Sequence, residues 1–364
     1  KIKKFNFKKI YLIMGYIITG TGSYIPKKTK KNIDFINSSF YNEDGSRINT
    51  PNAETISKFE SITGIKERKY VSENLNTSEI GYFASLEAIK SAKIDPETID
   101  YIIFAHNFGD VMHGINQYEA MPSLAAKVKS KLKIKNPKCV CYDIIFGCPG
   151  WVEGLIQAKA FLESGMAKKC LVIGAETLSR VVDHHDRDTM IFSDGAGASL
   201  IENKNIDGGI LSHNSATYTY NGETEMLFIG NSYNKNIKDR FIKMKGRKVY
   251  EFALNNVPNA MKESLELANV EIENLKKIFI HQANKKMDDA IMKRFFRLYK
   301  LKVPNSIMPM NIELHGNNSV ATIPTLYDQV IRNEKKDHSL KKGDIILFAS
   351  VGAGMNINSI VYQV

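Results

Sequence analysis

The strongest constraint in this chain is an alternation that occurs twice. Short apolar runs rich in β-branched residues alternate with segments whose apolar residues recur at helical spacing. "YIIFAHN" (Tyr101 to Asn107) and "CLVIGAET" (Cys170 to Thr177) are such runs, the second of the kind found in a strand covered on both faces. Between them, "WVEGLIQAKAFLESG" (Trp151 to Gly165) has helical spacing and stops at a glycine suited to a C-cap. "GAGASLIE" (Gly195 to Glu202) reads as another strand. The second half repeats the theme. "VYEFALNNVPNAMKESLELA" is mostly helical with Pro258 expected to break or kink it. "KIFIHQANKKMDDAIMKRF" is a strand, a turn and a helix, and "GDIILFASVGAGMNINSIVYQV" is two strands around a glycine-rich bend. No low-complexity linker separates the halves. The expectation is an α/β chain of two similar halves packed as one body, residues 14–205 and 206–364.

At 364 residues, with 43% hydrophobic and 24% charged, the chain can build a large core without a metal or disulfide. "KIKKFNFKK" followed by "IYLIMGYII" mimics a signal peptide, yet no small-residue cleavage site follows and the apolar run is too short to span a bilayer. A first buried strand from Gly15 to Gly20 is expected instead. Met14 then serves as a natural start, with residues 1–13 an extension. Cys139, Cys141, Cys148 and Cys170 form no disulfide framework and fit reduced thiols in a cytoplasm. Cys139 and Cys141 share one face of a strand and read as packing residues. The formal net charge is +11, carried mostly by scattered lysines. No finger, RNP or helix-turn-helix signature accompanies it, so nucleic acid is not the expected partner. The charge suits an acidic protein partner through electrostatic steering.

Four stretches carry chemistry-bearing residues. In "YDIIFGCPGWVEG" (Tyr142 to Gly154), Cys148 stands between an apolar strand and a helix. A helix start lowers a thiol pKa, and Gly147 and Gly150 permit close approach. From this stretch by itself a nucleophile and an inert packed thiol both stay open. In "FIHQAN" (Phe279 to Asn284), His281 sits at the mouth of a strand, where a merely hydrogen-bonded histidine is the commoner case. In "ELHGNNSVATIP" (Glu313 to Pro324), Asn317 and Asn318 follow a glycine as turn residues do. In "SVGAGMN" (Ser350 to Asn356), the bend offers backbone N–H groups to an oxyanion.

Together and in this order, these stretches resemble the β-ketoacyl-acyl carrier protein synthase III family of the thiolase-like superfamily. "ITGTGSYIP", "TGIKER", "DRDTMIFSDGAGASL" and "MKGRKVYEFA" extend the resemblance over nearly the whole chain. It implies a thiolase-like five-layered αβαβα fold, a homodimer and a Cys148–His281–Asn317 site. Cys148 would accept an acyl group from a thioester. His281 and Asn317 would polarise the carbonyl of malonyl-acyl carrier protein, whose decarboxylation gives the attacking carbanion. The backbone N–H groups of Cys148 and Ala353 would form the oxyanion hole. Arg187, Gly246 and Asn284 would contact the pantetheine-bearing substrate. Arg247, Lys285 and Lys286 would dock the acidic acyl carrier protein. No metal or resident cofactor is implied; acyl-coenzyme A or acyl-carrier protein and malonyl-carrier protein are substrates.

The match departs from the family in places. Lys58 and Ile62 stand where an aromatic residue and an arginine usually hold the adenine end of coenzyme A, which opens the alternative of an acyl donor on a carrier protein. Pro149-Gly150-Trp151 replaces the usual small residue, Gly and Phe, with Trp151 read as helix packing. His184, His185, Asp186 and Asp188 lie in a loop that binds no metal in the family. The segment holding His106 and His113, where the family builds its acyl pocket, is altered, so chain length does not transfer. A thiolase would need a second catalytic cysteine late in the chain. Elongating ketosynthases use two histidines, and type III polyketide synthases end in a different glycine-rich loop. A papain-like hydrolase does not suit the doubled α/β pattern. A specialised relative making a secondary lipid, polyketide or aryl product stays open. A non-catalytic partner subunit is disfavoured by the intact triad.

Overall fold

A computed structural model describes residues 14–115 and 117–364, so the expected extension, residues 1–13, lies outside the described residues. The chain opens with β1 (Gly15–Tyr24). A ribbon of β2 (Lys28–Lys31) and β3 (Glu67–Tyr70) brackets helix α1 (Asn52–Thr63). Helix α2 (Thr77–Ala92) leads to β4 (Tyr101–Ala105). A short ribbon, β5 (Asp110–Val111) and β6 (Tyr118–Glu119), precedes α3 (Leu124–Lys131) and β7 (Val140–Ile144). Then come α4 (Gly150–Glu163), β8 (Lys169–Thr177) and β9 (Asp194–Lys204). The second half runs through β10 (Gly209–Thr217), the hairpin β11 (Leu227–Asn231) and β12 (Arg240–Met244), α5 (Gly246–Leu267), β13 (Leu275–Ile280) and α6 (Lys285–Leu298). It ends with short α7 (Ile312–His315), α8 (Thr322–Ile331), β14 (Ile345–Gly352) and β15 (Asn356–Gln363).

The main sheet has nine strands in the order β13-β14-β15-β10-β1-β9-β8-β4-β7. Its two parts meet where β1 runs parallel to β10, paired at Tyr16 and Gly209. Elements recur in the same sequence on either side: β1-α2-β4-α3-β7-α4-β8-β9, then β10-α5-β13-α6-x-α8-β14-β15. Segment 303–310 takes the place x. It is irregular but joined to the sheet, for Ile278 N–H donates to Ile307 O at 2.9 Å.

Strand periodicity explains how five layers form. Along β8, Leu171, Ile173 and Ala175 pack with Ile80 and Ala84 of α2 and Val128 of α3. Cys170 and Val172, on the other face, pack with Trp151 and Leu155 of α4 and Leu326 of α8. Along β14, Ile346 and Phe348 point into that same central layer, while Leu347, Ala349 and Val351 meet Met261 of α5 and Phe295 of α6. Helices α4 and α8 are thus buried between two sheet layers, and α2/α3 and α5/α6 form the outer layers. Trp151 is a packing residue, edge-on to Phe348 at 5.6 Å. Removing Phe348 from this layer would cost about 3–5 kcal/mol.

Of the break or kink expected at Pro258, the break does not occur. Pro258 lies inside α5 without ending it. A proline cannot bond the carbonyl four residues back. Here that carbonyl, Leu254 O, accepts instead from Arg294 Nη1 of α6 at 3.0 Å. The helix continues because a neighbour supplies the missing donor. Among the described residues, no helix is long and apolar enough to cross a membrane.

Candidate functional site

Cys148 lies in the five-residue connection from β7 to α4. Gly147 adopts φ +65°, and Gly150 N–H donates to Gly147 O at 3.1 Å, so the chain turns tightly into the helix. The bend after β14 presses against this turn. A Cβ on Gly352 would lie 2.4 Å from Cys148 N, and one on Gly147 would lie 2.6 Å from Ala353 N. No larger residue fits either position without moving backbone. Asn356 fastens the two loops, its Nδ2 donating to Phe146 O at 3.2 Å and to Ala353 O at 2.8 Å. The Cys148 N–H donates to no other group among the described residues.

His281 follows the last residue of β13, and its N–H donates to Ala349 O at 2.9 Å. The imidazole is 3% exposed and its Nδ1 has no partner among the described residues. Gln282 locks the next turn. Its Nε2 donates to Pro309 O, and its Oε1 accepts from the N–H groups of Asn311 and Ile312. That turn carries the chain through α7 to Asn317. Asn317 N–H donates to Ile191 O at 2.9 Å, and its carbonyl accepts from Ser193 N–H at 2.8 Å. Its Oδ1 accepts from Ser319 N–H at 2.8 Å, so the side-chain nitrogen is the end left free.

Cys148, His281, Asn317 and Ala353 border one cavity with about 970 Å³ of empty space, counting its open mouth. Asn107 and Ser319 complete its polar wall. The rest is apolar, supplied by Phe108, Leu178, Phe192 and by the hairpin residues Leu227, Ile229 and Ile242. The hairpin is anchored by Lys243, whose ammonium bonds Asp183 at 2.6 Å and Asp186 at 3.1 Å and lies on the Tyr233 ring. His185 of the same loop bonds Ser39 O. His185, Asp183 and Asp186 are thus engaged in bonds within the fold, and the described residues hold no group of three or more metal-ligating side chains.

A second, larger basin adjoins the first, sharing Met244, Val249, Ala283 and Met287 with it. Arg187, Gly246, Arg247 and Asn284 line this outer basin, as do Lys58 and Ile62 of α1. Asn284 also caps α6, its Oδ1 accepting from Met287 N–H at 3.2 Å. Lys285 and Lys286 line neither cavity and stand exposed on the first turn of α6. Lys285 pairs with Asp289 at 2.8 Å and Arg247 with Glu251 at 2.9 Å.

Electrostatics departs from the sequence expectation at Cys148. Burial pushes its thiol up to about 12, opposed by the hydrogen bond from Ser319 and reinforced by Glu176. A small part of the cysteine stays open to the cavity, yet protein surrounds it so closely that desolvation exceeds any benefit of the helix start. Burial also holds His281 neutral, down to about 4, with the Ser319 backbone pulling slightly upward. The site therefore combines a thiol, a neutral imidazole and a free amide nitrogen. Such a set can form a covalent bond to carbon and donate hydrogen bonds to a carbonyl oxygen. Sequence reading missed Ser319, Asn107 and Glu176. Ser319 lay within the quoted "HGNNS" and Asn107 closed "YIIFAHN", but both types are ordinary in turns.

Comparison with known proteins gives a consistent result. A family described as 3-oxoacyl-[acyl-carrier-protein (ACP)] synthase III matches residues 142–219, and its C-terminal counterpart matches residues 265–364. The beta-ketoacyl-[acyl-carrier-protein] synthase III of Prochlorococcus marinus is 32% identical over 354 residues, covering 95% of each chain. The crystal structure of 3-oxoacyl-[acyl-carrier-protein] synthase III from Aquifex aeolicus is similar at a TM-score of 0.80, with 30% identity, covering 96% of this chain and 100% of that one. The priming β-ketosynthase of the R1128 polyketide pathway shares the fold at a TM-score of 0.80 with 22% identity, covering 96% of both chains.

Proposed function

Because this chain belongs to the 3-oxoacyl-[acyl-carrier-protein] synthase III family, we propose that it joins an acyl group to a malonyl unit through the site around Cys148. Cys148 Sγ attacks the thioester carbonyl of the donor, and the departing thiol is released. The Cys148 and Ala353 N–H groups receive the oxyanion. Malonyl-acyl carrier protein then occupies the outer basin, with Arg187, Gly246 and Asn284 beside its pantetheine. The neutral His281 and the Asn317 amide donate to its thioester carbonyl. Carbon dioxide leaves, the resulting enolate attacks the acyl-enzyme carbonyl, the carbon–sulfur bond to Cys148 breaks, and the departing thiolate takes up a proton from solvent to return as a thiol. Two neutral donors stabilise the enolate without an imidazolium, as a histidine with its pKa near 4 requires. No step needs a resident cofactor.

The observation that carries this reading is convergence. Cys148 from one half and His281 and Asn317 from the other border one apolar cavity behind a wider basin. The same reading divides the chain at residues 205 and 206 and pairs two copies as a homodimer in a cytoplasm. In favour of the dimer, β7 is an edge strand, with Val140 44% and the neighbouring Ile145 71% exposed. An acidic acyl carrier protein fits the +11 chain, with Arg247, Lys285 and Lys286 around the basin. A second reading, an acyl donor held on carrier protein, is favoured by Lys58 and Ile62 in the basin wall. The test is intact-mass analysis after incubation with matched acyl-coenzyme A and acyl-carrier-protein donors. A single adduct that is absent from Cys148→Ala is expected, and an adduct of unchanged stoichiometry in that variant would refute the assignment.

A further inference from the structure

Among the described residues, the polar side chain in contact with Cys148 is Ser319, whose hydroxyl donates to Sγ at 3.4 Å. Behind Ser319 lies a carboxyl group shut off from water. Glu176, near the end of β8, is 1% exposed. Asn107 Nδ2 spans the two, donating to Ser319 Oγ at 3.2 Å and to Glu176 Oε1. Ser319 also acts on the Glu176 carboxyl, pulling it down toward the charged form. Ser319 is held for this contact. It sits at φ +51°, a left-handed conformation that costs a serine about 1 kcal/mol, and its N–H is tied to Asn317 Oδ1. An acid buried without a cation beside it weakens a fold, so its place near the Cys148 sulfur calls for a function.

The acyl-transfer reading leaves one proton unplaced. The Cys148 thiol must lose it, and His281 is a poor acceptor because burial already holds it neutral. We propose that Glu176 is a positioning residue that acts through Ser319 to hold the Cys148 proton while the sulfur attacks the donor. The Ser319 hydroxyl turns from Sγ toward Glu176, so that the thiol proton passes to Ser319 Oγ as the serine proton passes to Glu176. The sulfur–carbon bond to Cys148 forms and the donor's carbon–sulfur bond breaks. The same proton returns through Ser319 to the departing thiolate, so the site ends with no net charge change. Burial raises Glu176 to about 8, between the cysteine and the histidine, with Asn107 and Ser319 pulling down and Asp194 of β9 pushing up. The other titratable groups at this place are Cys148 ahead of α4 and His281 at the end of β13.

This proposal rests on Cys148 being the acyl acceptor, so its test reads the thiol in two ways. One is single-turnover acylation by acetyl-coenzyme A and by acetyl-carrier protein, followed by intact mass. The other is alkylation by iodoacetamide, which needs no thioester. Both are run across a pH series spanning the Glu176 value. Acylation by the wild type should rise with pH through about 8. Glu176→Gln keeps the shape but cannot take a proton. It should lower acylation on the order of 100-fold and flatten the profile. Ser319→Ala leaves Glu176 in place and should flatten it equally. Glu176→Asp should restore the inflection with part of the rate. A Glu176→Gln profile that superimposes on the wild type would overturn the proposal. So would a lowered rate with the inflection unmoved, which marks a structural role. An alkylation profile that depends on Glu176 while neither thioester acylates Cys148 would support the relay and remove the acyl-transfer reading instead.

Discussion

Each half of the molecule follows the second strand of its repeat with a buried histidine, and the two are hydrogen-bonded in opposite ways. His106 follows β4 and is 1% exposed; His281 follows β13 and is 3% exposed. His106 has both nitrogens engaged. Gly109 N–H donates to its Nδ1 at 2.9 Å, which leaves Nε2 to donate to Asp143 Oδ2 at 3.0 Å. Asp143 in turn accepts from Leu124 N–H and Ala125 N–H at the start of α3. His281 keeps Nδ1 unpartnered and borders the cavity. Equivalent placement in a repeat therefore does not confer equivalent work. A histidine whose hydrogen bonds are all made holds loops in register, while one with a bond left open is ready to make it to a substrate.

The largest difference between the two should show in the decarboxylation step. His281→Ala should lower carbon dioxide release from malonyl-carrier protein by on the order of 100- to 1,000-fold, the effect of removing one oxyanion donor. Its thermal stability should change little. Acyl transfer to Cys148 should be far less affected, and equal loss of both half-reactions would show that His281 also serves the thiol. His106→Ala should leave the ratio of the two half-reactions nearly unchanged.

Acid stability tests His281 next. The unfolded chain protonates His281 near 6.5, and the folded one does so near 4. Between those values the unfolded state binds the extra proton, so stability falls as pH falls through the window. The loss is on the order of 3 kcal/mol for this residue. His315, held down to about 4 chiefly by burial, acts in the same direction. Urea titrations of wild type and His281→Asn should separate as pH drops from 6.5 toward 4, the variant keeping stability that the wild type loses. Parallel curves would mean that the imidazole is accessible to protons in the fold.

His106→Ala reverses the pattern. It removes a bond to a carboxylate and orphans Gly109 N–H, at a cost of about 2 kcal/mol of stability at neutral pH. The denaturant midpoint measures this. A midpoint within error of wild type would put Asp143 and the α3 start beyond its influence.

These pairs also mark what the sequence could convey. The β/α alternation and the strand-ending residues of both halves were legible, because apolar runs of strand length and helical spacing are local signals. Cys148, His281 and Asn317 were legible through motif order. The use of each histidine was not, since it depends on Gly109, Asp143 and Ser319, which meet only after folding. That α5 runs on through Pro258 was hidden for a similar reason: Arg294, which satisfies the carbonyl the proline frees, is 36 positions away along the chain. The thiol pKa of Cys148 was misjudged because a helix start is a sequence feature and desolvation by residues that meet on folding is not.

The smallest expected effect lies outside the cavities. Of the three basic residues expected to dock a carrier protein, Arg247 and Lys285 each bond an acid four residues on, at exposed positions. Such pairs contribute only about 0.3–0.5 kcal/mol, so neither cation is strongly held back from a partner. Lys286 makes no ion pair among the described residues and presents its full charge. Lys286→Glu should therefore reduce kcat/KM for malonyl-carrier protein by about 3- to 10-fold at low salt, through slower association, with kcat preserved. Added salt should shrink the difference, because the charges meet across solvent. The same variant should leave kcat/KM for an acyl-coenzyme A donor nearly unchanged. A salt-independent loss, or an equal loss for both substrates, would place Lys286 in the basin chemistry instead of on a docking surface. It would then extend the working half of the comparison, the turn after β13, beyond His281.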